Sequence, residues 1–120
     1  MSSGQISVPR RLARATRYSA QGLRAAWRHE HAFRLEVGLF VVLAPVAWWL
    51  GETATQRALL LASLGLVLIV ELLNSALEAA VDRSGTEENK LAGRAKDLGS
   101  AAVLIALLQG AMVWAIVLFT

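Results

Sequence analysis

Three long apolar stretches alternate with polar segments along the chain and predict three membrane-spanning helices. The stretches cover residues 34–50, 57–82 and 96–119, and they are separated by polar segments at 51–56 and 83–95. A helix needs about 20 mainly apolar residues to cross the hydrocarbon core of a bilayer, and the three stretches lie close to or above that length. The pattern therefore predicts an all-α membrane protein.

A different pattern precedes the first apolar stretch. Residues 9–33 combine many arginines with apolar side chains, and Leu12, Leu23 and Trp27 lie on roughly one side of the predicted helix. This arrangement is typical of an amphipathic helix lying along the membrane interface, with the tryptophan as an anchor. Residues 1–7 are small and polar, so we expect them to be disordered. The whole chain, residues 1–120, is thus predicted to form a single domain.

Charge and composition narrow the possible classes. Without cysteine, the 120-residue chain has neither disulfides nor thiolate chemistry. Six of the twelve basic residues precede the first apolar stretch and Arg34 begins it, while four lie in or just after the second polar segment, against one just after the first. In a membrane protein such a bias indicates cytoplasmic segments near anionic headgroups rather than nucleic-acid binding. We therefore expect a cytoplasmic N-terminus and a C-terminus on the opposite side.

The second apolar stretch carries a polar stripe. Glu71, Asn74, Glu78 and Asp82 follow one another at spacings of 3, 4 and 4 residues, which places them within roughly 80° of each other around a helix. If Asp82 lies near the cytoplasmic interface, Glu71 lies about 16 Å deeper. A lone carboxylate at that depth costs on the order of 3 kcal/mol or more. The stripe must therefore face protein, metal or water.

The carboxylate and amide oxygens of this stripe, together with Glu30, are hard ligands of the kind that magnesium prefers. The sequence contains neither a GxxxxGK[ST] nor a GxGxxG nucleotide motif. The residues alone are therefore compatible with a lipid enzyme, with a proton- or ion-coupled channel or transporter, or with a structural assembler of helices.

Three segments separate these classes: YSAQGLRAAWRHEHAFRLE at 18–36, VELLNSALEAAVDR at 70–83 and GRAKDLGSAAVLIA at 93–106. In order and separation they resemble the prokaryotic diacylglycerol kinase family, and the Gram-negative type in particular. The resemblance implies transfer of the γ-phosphoryl group of magnesium ATP to diacylglycerol, giving phosphatidic acid. It also implies a homotrimeric bundle in the bacterial inner membrane, with active sites shared between protomers. A polyprenol kinase of the same family, acting on undecaprenol, is the alternative.

The resemblance also implies roles for individual residues. Glu71 matches the family's general base, and Glu30 and Glu78 match its metal ligands. The positions that match nucleotide contacts are Arg11, Tyr18, Glu30, Glu78, Glu87, Glu88, Asn89, Lys96 and Asp97. The positions that match contacts with the lipid substrate are Arg11, Tyr18, Arg24, Ala25, Glu36, Trp49, Glu71, Asn74 and Ser100.

Overall fold

Four helices make up the fold. The structure, a computed structural model, describes residues 7–83 and 90–120, and within these ranges it contains no strand. The helices are α1 (Val8–His29), α2 (His31–Leu50), α3 (Ala54–Arg83) and α4 (Lys90–Phe119). The last three are long and apolar enough to cross a membrane. The prediction of an all-α membrane protein is confirmed, while the predicted N-terminal disorder falls, apart from Ser7, outside the described residues.

The first helix starts with a side-chain cap. The hydroxyl of Ser7 accepts a hydrogen bond from the backbone N–H of Arg10 at 3.4 Å, and Pro9 lies in the first turn. Both features favour a helix start. The hydroxyl gives a partner to a backbone N–H that has none inside the helix, and proline lacks an N–H where that group would have no partner. Along α1, Arg10, Arg14 and Arg17 are exposed and Ala26 is buried. The predicted apolar side chains Leu12, Leu23 and Trp27 are also exposed in the protomer, so the position of this helix along the membrane interface stays a prediction.

The chain turns sharply at Glu30, and the predicted boundary between residues 33 and 34 is wrong. Glu30 has an extended backbone, with φ −113° and ψ 102°, and it separates α1 from α2. The guanidinium of Arg34 reaches back and donates to the carbonyls of Trp27 at 2.6 Å and Arg28 at 3.3 Å. These carbonyls belong to the last turn of α1, where helical partners are missing. Arg34 thereby fixes the corner at which Glu30 lies.

A second tight connection joins α2 to α3. Helix α3 starts at Ala54, before the predicted start at residue 57, because the side chains of Thr53 and Gln56 cap its first turn. Thr53 Oγ1 accepts from the Gln56 backbone N–H at 3.1 Å, and Gln56 Oε1 accepts from the Glu52 N–H at 2.8 Å. This reciprocal pattern is a variant of the capping box.

Arg57 closes this connection from the side. Its Nε donates to the carbonyl of Trp48 at 2.9 Å, and its guanidinium lies 5.0 Å from the centroid of the Trp48 ring. A Cβ atom at Gly51 would lie 2.6 Å from Arg57 Cγ, so the close approach of Arg57 requires glycine at this position.

The third helix is the centre of the fold and packs against both α2 and α4. Leu60, Ser63 and Val67 are buried along it. Ser63 Oγ donates to the Leu60 carbonyl at 2.8 Å and accepts from Trp114 Nε1 of α4 at 3.1 Å. This hydrogen bond satisfies the indole N–H inside the apolar contact between the two helices.

The fourth helix begins earlier than expected. Lys90 starts it, so the second half of the predicted 83–95 connection is helical. Gly93 lies inside α4 and does not break it. A single glycine disfavours a helix by only about 1 kcal/mol, which a 30-residue helix accommodates.

Candidate active site

One groove joins the α1–α2 corner to α3 and α4. Three carboxylates converge on it, from the corner and from the polar stripe, together with the carboxamide of that stripe. Its volume is about 390 Å³. Apart from Ser100, apolar side chains form the rest of the wall, as expected for a site inside a membrane bundle. We call this space the carboxylate groove; its lining residues are Glu30, Ala32, Glu71, Asn74, Glu78, Ser100, Val103, Leu104 and Leu107.

Glu71 is the most deeply placed acid of the carboxylate groove, with 5% of its surface exposed. Its Oε2 accepts a hydrogen bond from Ser75 Oγ at 3.5 Å. The carboxyl group of Glu36, on α2, lies close to the Glu71 carboxyl, and its Oε2 atom is buried without a hydrogen-bond partner. Glu78 and Glu30 are close enough to repel a negative charge on Glu71. Three acids from three parts of the chain therefore act on this one side chain.

The contact between Glu36 and Glu71 defines what this site can do with protons. Two ionised carboxylates that lie close together repel each other, and a proton on one of them relieves the repulsion. The pair is therefore suited to accepting a proton at membrane depth. This is a chemical capacity that a structural salt bridge lacks.

A second, larger groove lies between α1 and α3. Its volume is about 760 Å³ and its wall is mainly apolar. Glu30 lines both grooves, and Ser75 lines this one while bonding to Glu71. The two spaces thus meet at the carboxylates. We call this second space the apolar groove; its lining residues are Ser19, Gly22, Leu23, Ala25, Ala26, His29, Glu30, Leu72, Ser75, Ala76 and Ala79.

Several residues predicted for the site come together, and others do not. Ala25 lines the apolar groove and Ser100 the carboxylate groove. Trp49 is 81% exposed near the end of α2, roughly 28 Å along the helix axis from Glu30. The protomer therefore does not place Trp49 at either groove.

Three of the residues predicted to contact nucleotide or lipid lie on the exposed surface of α1. Arg11, Tyr18 and Arg24 are exposed, and the guanidinium of Arg17 lies 5.7 Å from the centroid of the Tyr18 ring. In the described part of the chain, neither groove is lined by these three side chains.

The predicted nucleotide contacts lie at the ends of α3 and α4. Lys96 Nζ forms a salt bridge with Asp82 Oδ1 at 2.9 Å, and both side chains are largely exposed. Asp82 of the polar stripe is therefore bound to Lys96. Asp97, the residue after Lys96, is exposed. Residues 87–89, for which we predicted nucleotide contacts by Glu87, Glu88 and Asn89, lie outside the described residues.

The donor set of the carboxylate groove suits magnesium. Across residues 7–83 and 90–120, no cluster of three or more His, Cys, Asp or Glu side chains forms a metal cage of its own. Magnesium, however, is commonly bound by one or two carboxylates while phosphate oxygens and water complete its shell. Glu30 and Glu78 line the same groove and supply two such carboxylates. The residues present fit the metal that the resemblance implies.

Two features of the site were missed at the level of sequence. Ser75 follows Glu71 by one helical turn, and this i, i+4 spacing was the available signal for their hydrogen bond. Glu36 was assigned to the lipid, although it is the one acid within the first apolar stretch. An acid at that depth is costly unless it faces other polar groups, and Glu36 lies close to Glu71.

Comparison with known proteins shows the family of this chain. The sequence profile of the family described as "Prokaryotic diacylglycerol kinase" matches residues 17–118. The diacylglycerol kinase of Escherichia coli (strain K12) is 55% identical over 111 residues, which cover 92% of this chain and 90% of that protein. That of Haemophilus influenzae is 50% identical over 108 residues, covering 90% and 92%. That of Pseudomonas aeruginosa is 50% identical over 115 residues, covering 96% and 93%. The chain belongs to the prokaryotic diacylglycerol kinase family.

Proposed function

We propose that this protein is an ATP-dependent diacylglycerol kinase that transfers the γ-phosphoryl group to the lipid hydroxyl and forms phosphatidic acid. The observation that carries the proposal is the buried Glu71, which lines the carboxylate groove and accepts a hydrogen bond from Ser75 of the apolar groove. The apolar groove offers room for acyl chains, and the carboxylate groove offers oxygen ligands for a metal-bound phosphate. Membership of the family supports the same reaction.

In the proposed step, the lipid lies in the apolar groove with its free hydroxyl toward Glu71. The Glu71 carboxylate accepts the hydroxyl proton while the hydroxyl oxygen attacks the γ-phosphorus in line with the departing ADP. One P–O bond forms to the lipid, one breaks to ADP, and the proton remains on Glu71. Ser75 orients this carboxylate through its hydrogen bond to Oε2.

Glu30 and Glu78 are the proposed ligands of magnesium. When bound, the metal supplies positive charge that offsets the charge of the phosphates. The corner held by Arg34 keeps Glu30 at the groove that Glu78 also lines. Lys96 would reach a phosphate only after leaving Asp82. Exposed salt bridges of this kind stabilise the fold by at most about 1 kcal/mol, so breaking the pair of Lys96 and Asp82 costs little free energy.

We further propose that the protein works as a homotrimer in the bacterial inner membrane, with its N-terminus in the cytoplasm. Within the protomer, 6% of the most apolar segment of α4 and 11% of that of α2 are buried, against 28% for α3. Large apolar faces thus remain for lipid and for neighbouring subunits. The basic bias of α1 favours the cytoplasmic side.

The experiment is phosphate transfer from γ-labelled ATP to diacylglycerol and to undecaprenol, run side by side in mixed micelles with purified protein. We expect label on diacylglycerol, and its loss when magnesium is chelated. Preference for undecaprenol would keep the chemistry and change the substrate. Label on neither lipid, with folded oligomeric protein, would refute the kinase and would make proton flux in liposomes the next measurement.

A further inference from the structure

Gly99 of α4 and Asn74 of α3 approach each other unusually closely. A Cβ atom built on Gly99 would lie 2.2 Å from Asn74 Oδ1 and 3.3 Å from its Cγ. It would also lie 2.9 Å from the end of the Leu77 side chain. Real Cβ atoms essentially never approach another atom closer than 3.0 Å. The carboxamide oxygen of Asn74 therefore occupies the space that any larger residue at position 99 would fill.

The other glycines of α4 show that this contact is special. A Cβ atom on Gly110 would find its nearest neighbour, the Ser63 carbonyl oxygen, at 3.9 Å, which is ordinary van der Waals contact. A Cβ atom on Gly93 would meet nothing within 4 Å. Close approach of α4 to α3 at position 99 is thus specific to Asn74, and does not follow from the general abundance of small residues along the helix.

No hydrogen bond holds the carboxamide oxygen of Asn74 in place. Its Oδ1 atom is buried and has no hydrogen-bond partner. Buried polar oxygens normally have a partner, so an unpaired one is held by the shape of its surroundings. Asn74 nevertheless lines the carboxylate groove between Glu71 and Glu78. With the oxygen buried against Gly99, the carboxamide nitrogen is the polar atom that Asn74 has left for the groove.

We propose that Gly99 is a positioning residue: its missing side chain forms a notch that fixes the carboxamide of Asn74 in the carboxylate groove. The inference rests on the proposed function in one respect, because it assigns the notch to the kinase site. Any side chain at position 99 displaces the carboxamide by about 1 Å, and errors of that size at a reacting centre lower rates by about 100-fold.

The kinetic test is a double-mutant cycle on the full-length purified protein, with diacylglycerol and magnesium ATP. Gly99→Ala is expected to lower kcat by about 10- to 100-fold. Gly110→Ala, the matched control on the same helix, is expected to stay within about twofold of the wild type. In an Asn74→Ala background, Gly99→Ala is expected to cause a much smaller further loss, because the carboxamide that it displaces is absent and only the contact with the end of the Leu77 side chain remains.

Equal losses in the two backgrounds would overturn the proposal, as would a folded Gly99→Ala variant with wild-type kcat. A second readout does not depend on activity. The thermal unfolding midpoint in detergent should fall on Gly99→Ala alone and recover in the double variant. If Gly99→Ala does not fold, recovery of folding in the double variant supports the notch, and its absence refutes it. Should the wild type phosphorylate no lipid, the proposed function fails while the unfolding cycle still decides the notch.

Discussion

Glu71→Gln replaces the proposed proton acceptor by an amide of nearly the same shape. The amide oxygen can still accept from Ser75 Oγ, and the amide nitrogen can donate to the nearby Glu36. An amide cannot take the proton of the lipid hydroxyl. The variant therefore separates the packing of this position from its chemistry.

The expected loss follows from the role. A positioned general base contributes about 10²- to 10⁴-fold to a rate, which is about 3 to 5 kcal/mol of activation free energy. We expect kcat for phosphatidic acid formation, at saturating diacylglycerol and magnesium ATP in mixed micelles, to fall by that factor. The thermal unfolding midpoint should stay the same or rise, because a buried acid in contact with a second acid is removed.

The matched control is Glu52→Gln. Glu52 is an exposed acid in the connection between α2 and α3, at the far end of α3 from the carboxylate groove. The same chemical change there should leave kcat within about twofold of the wild type. A folded Glu71→Gln variant that retains kcat within about tenfold of the wild type would refute the assignment of Glu71 as the base.

Three further predictions concern the frame around the site. Ser63→Ala leaves the half-buried indole N–H of Trp114 without its partner, so the free energy of unfolding should fall by about 1 kcal/mol in a detergent denaturation series. An unchanged value would show that the hydrogen bond contributes nothing. Asp82→Asn removes an exposed salt bridge, so the free energy of unfolding should change by less than about 1 kcal/mol. A larger loss of stability would contradict the weak interaction proposed between Lys96 and Asp82. Arg34→Gln removes the hydrogen bonds that cap the end of α1, so the corner at Glu30 should loosen. The magnesium concentration for half-maximal activity should then rise. An unshifted magnesium curve would show that the corner does not affect metal binding.

The sequence predicted the parts of the fold that depend on local pattern. The three apolar stretches predicted α2, α3 and α4 because a membrane span needs a minimum apolar length. The spacing of Glu71, Asn74 and Glu78 predicted their common groove because helix geometry fixes side-chain directions. These inferences needed no knowledge of how the helices pack.

Features that depend on packing between helices were not predictable in the same way. The end of α1 at Glu30 depends on Arg34 reaching back over the corner. The contact between Glu36 and Glu71 depends on the register of α2 against α3. The notch at Gly99 depends on the distance between α3 and α4. Periodicity along one helix carries no information about these distances.

The most direct test of the account compares the magnesium dependence of phosphatidic acid formation in the wild type, Glu78→Gln and Glu52→Gln. The account predicts activity in the wild type and in Glu52→Gln, with superimposed magnesium curves. It predicts that Glu78→Gln needs at least about tenfold more magnesium, since loss of one of two carboxylate ligands weakens the site. A Glu78→Gln curve that coincides with the wild type would contradict the claim that the carboxylate groove holds the metal and phosphates.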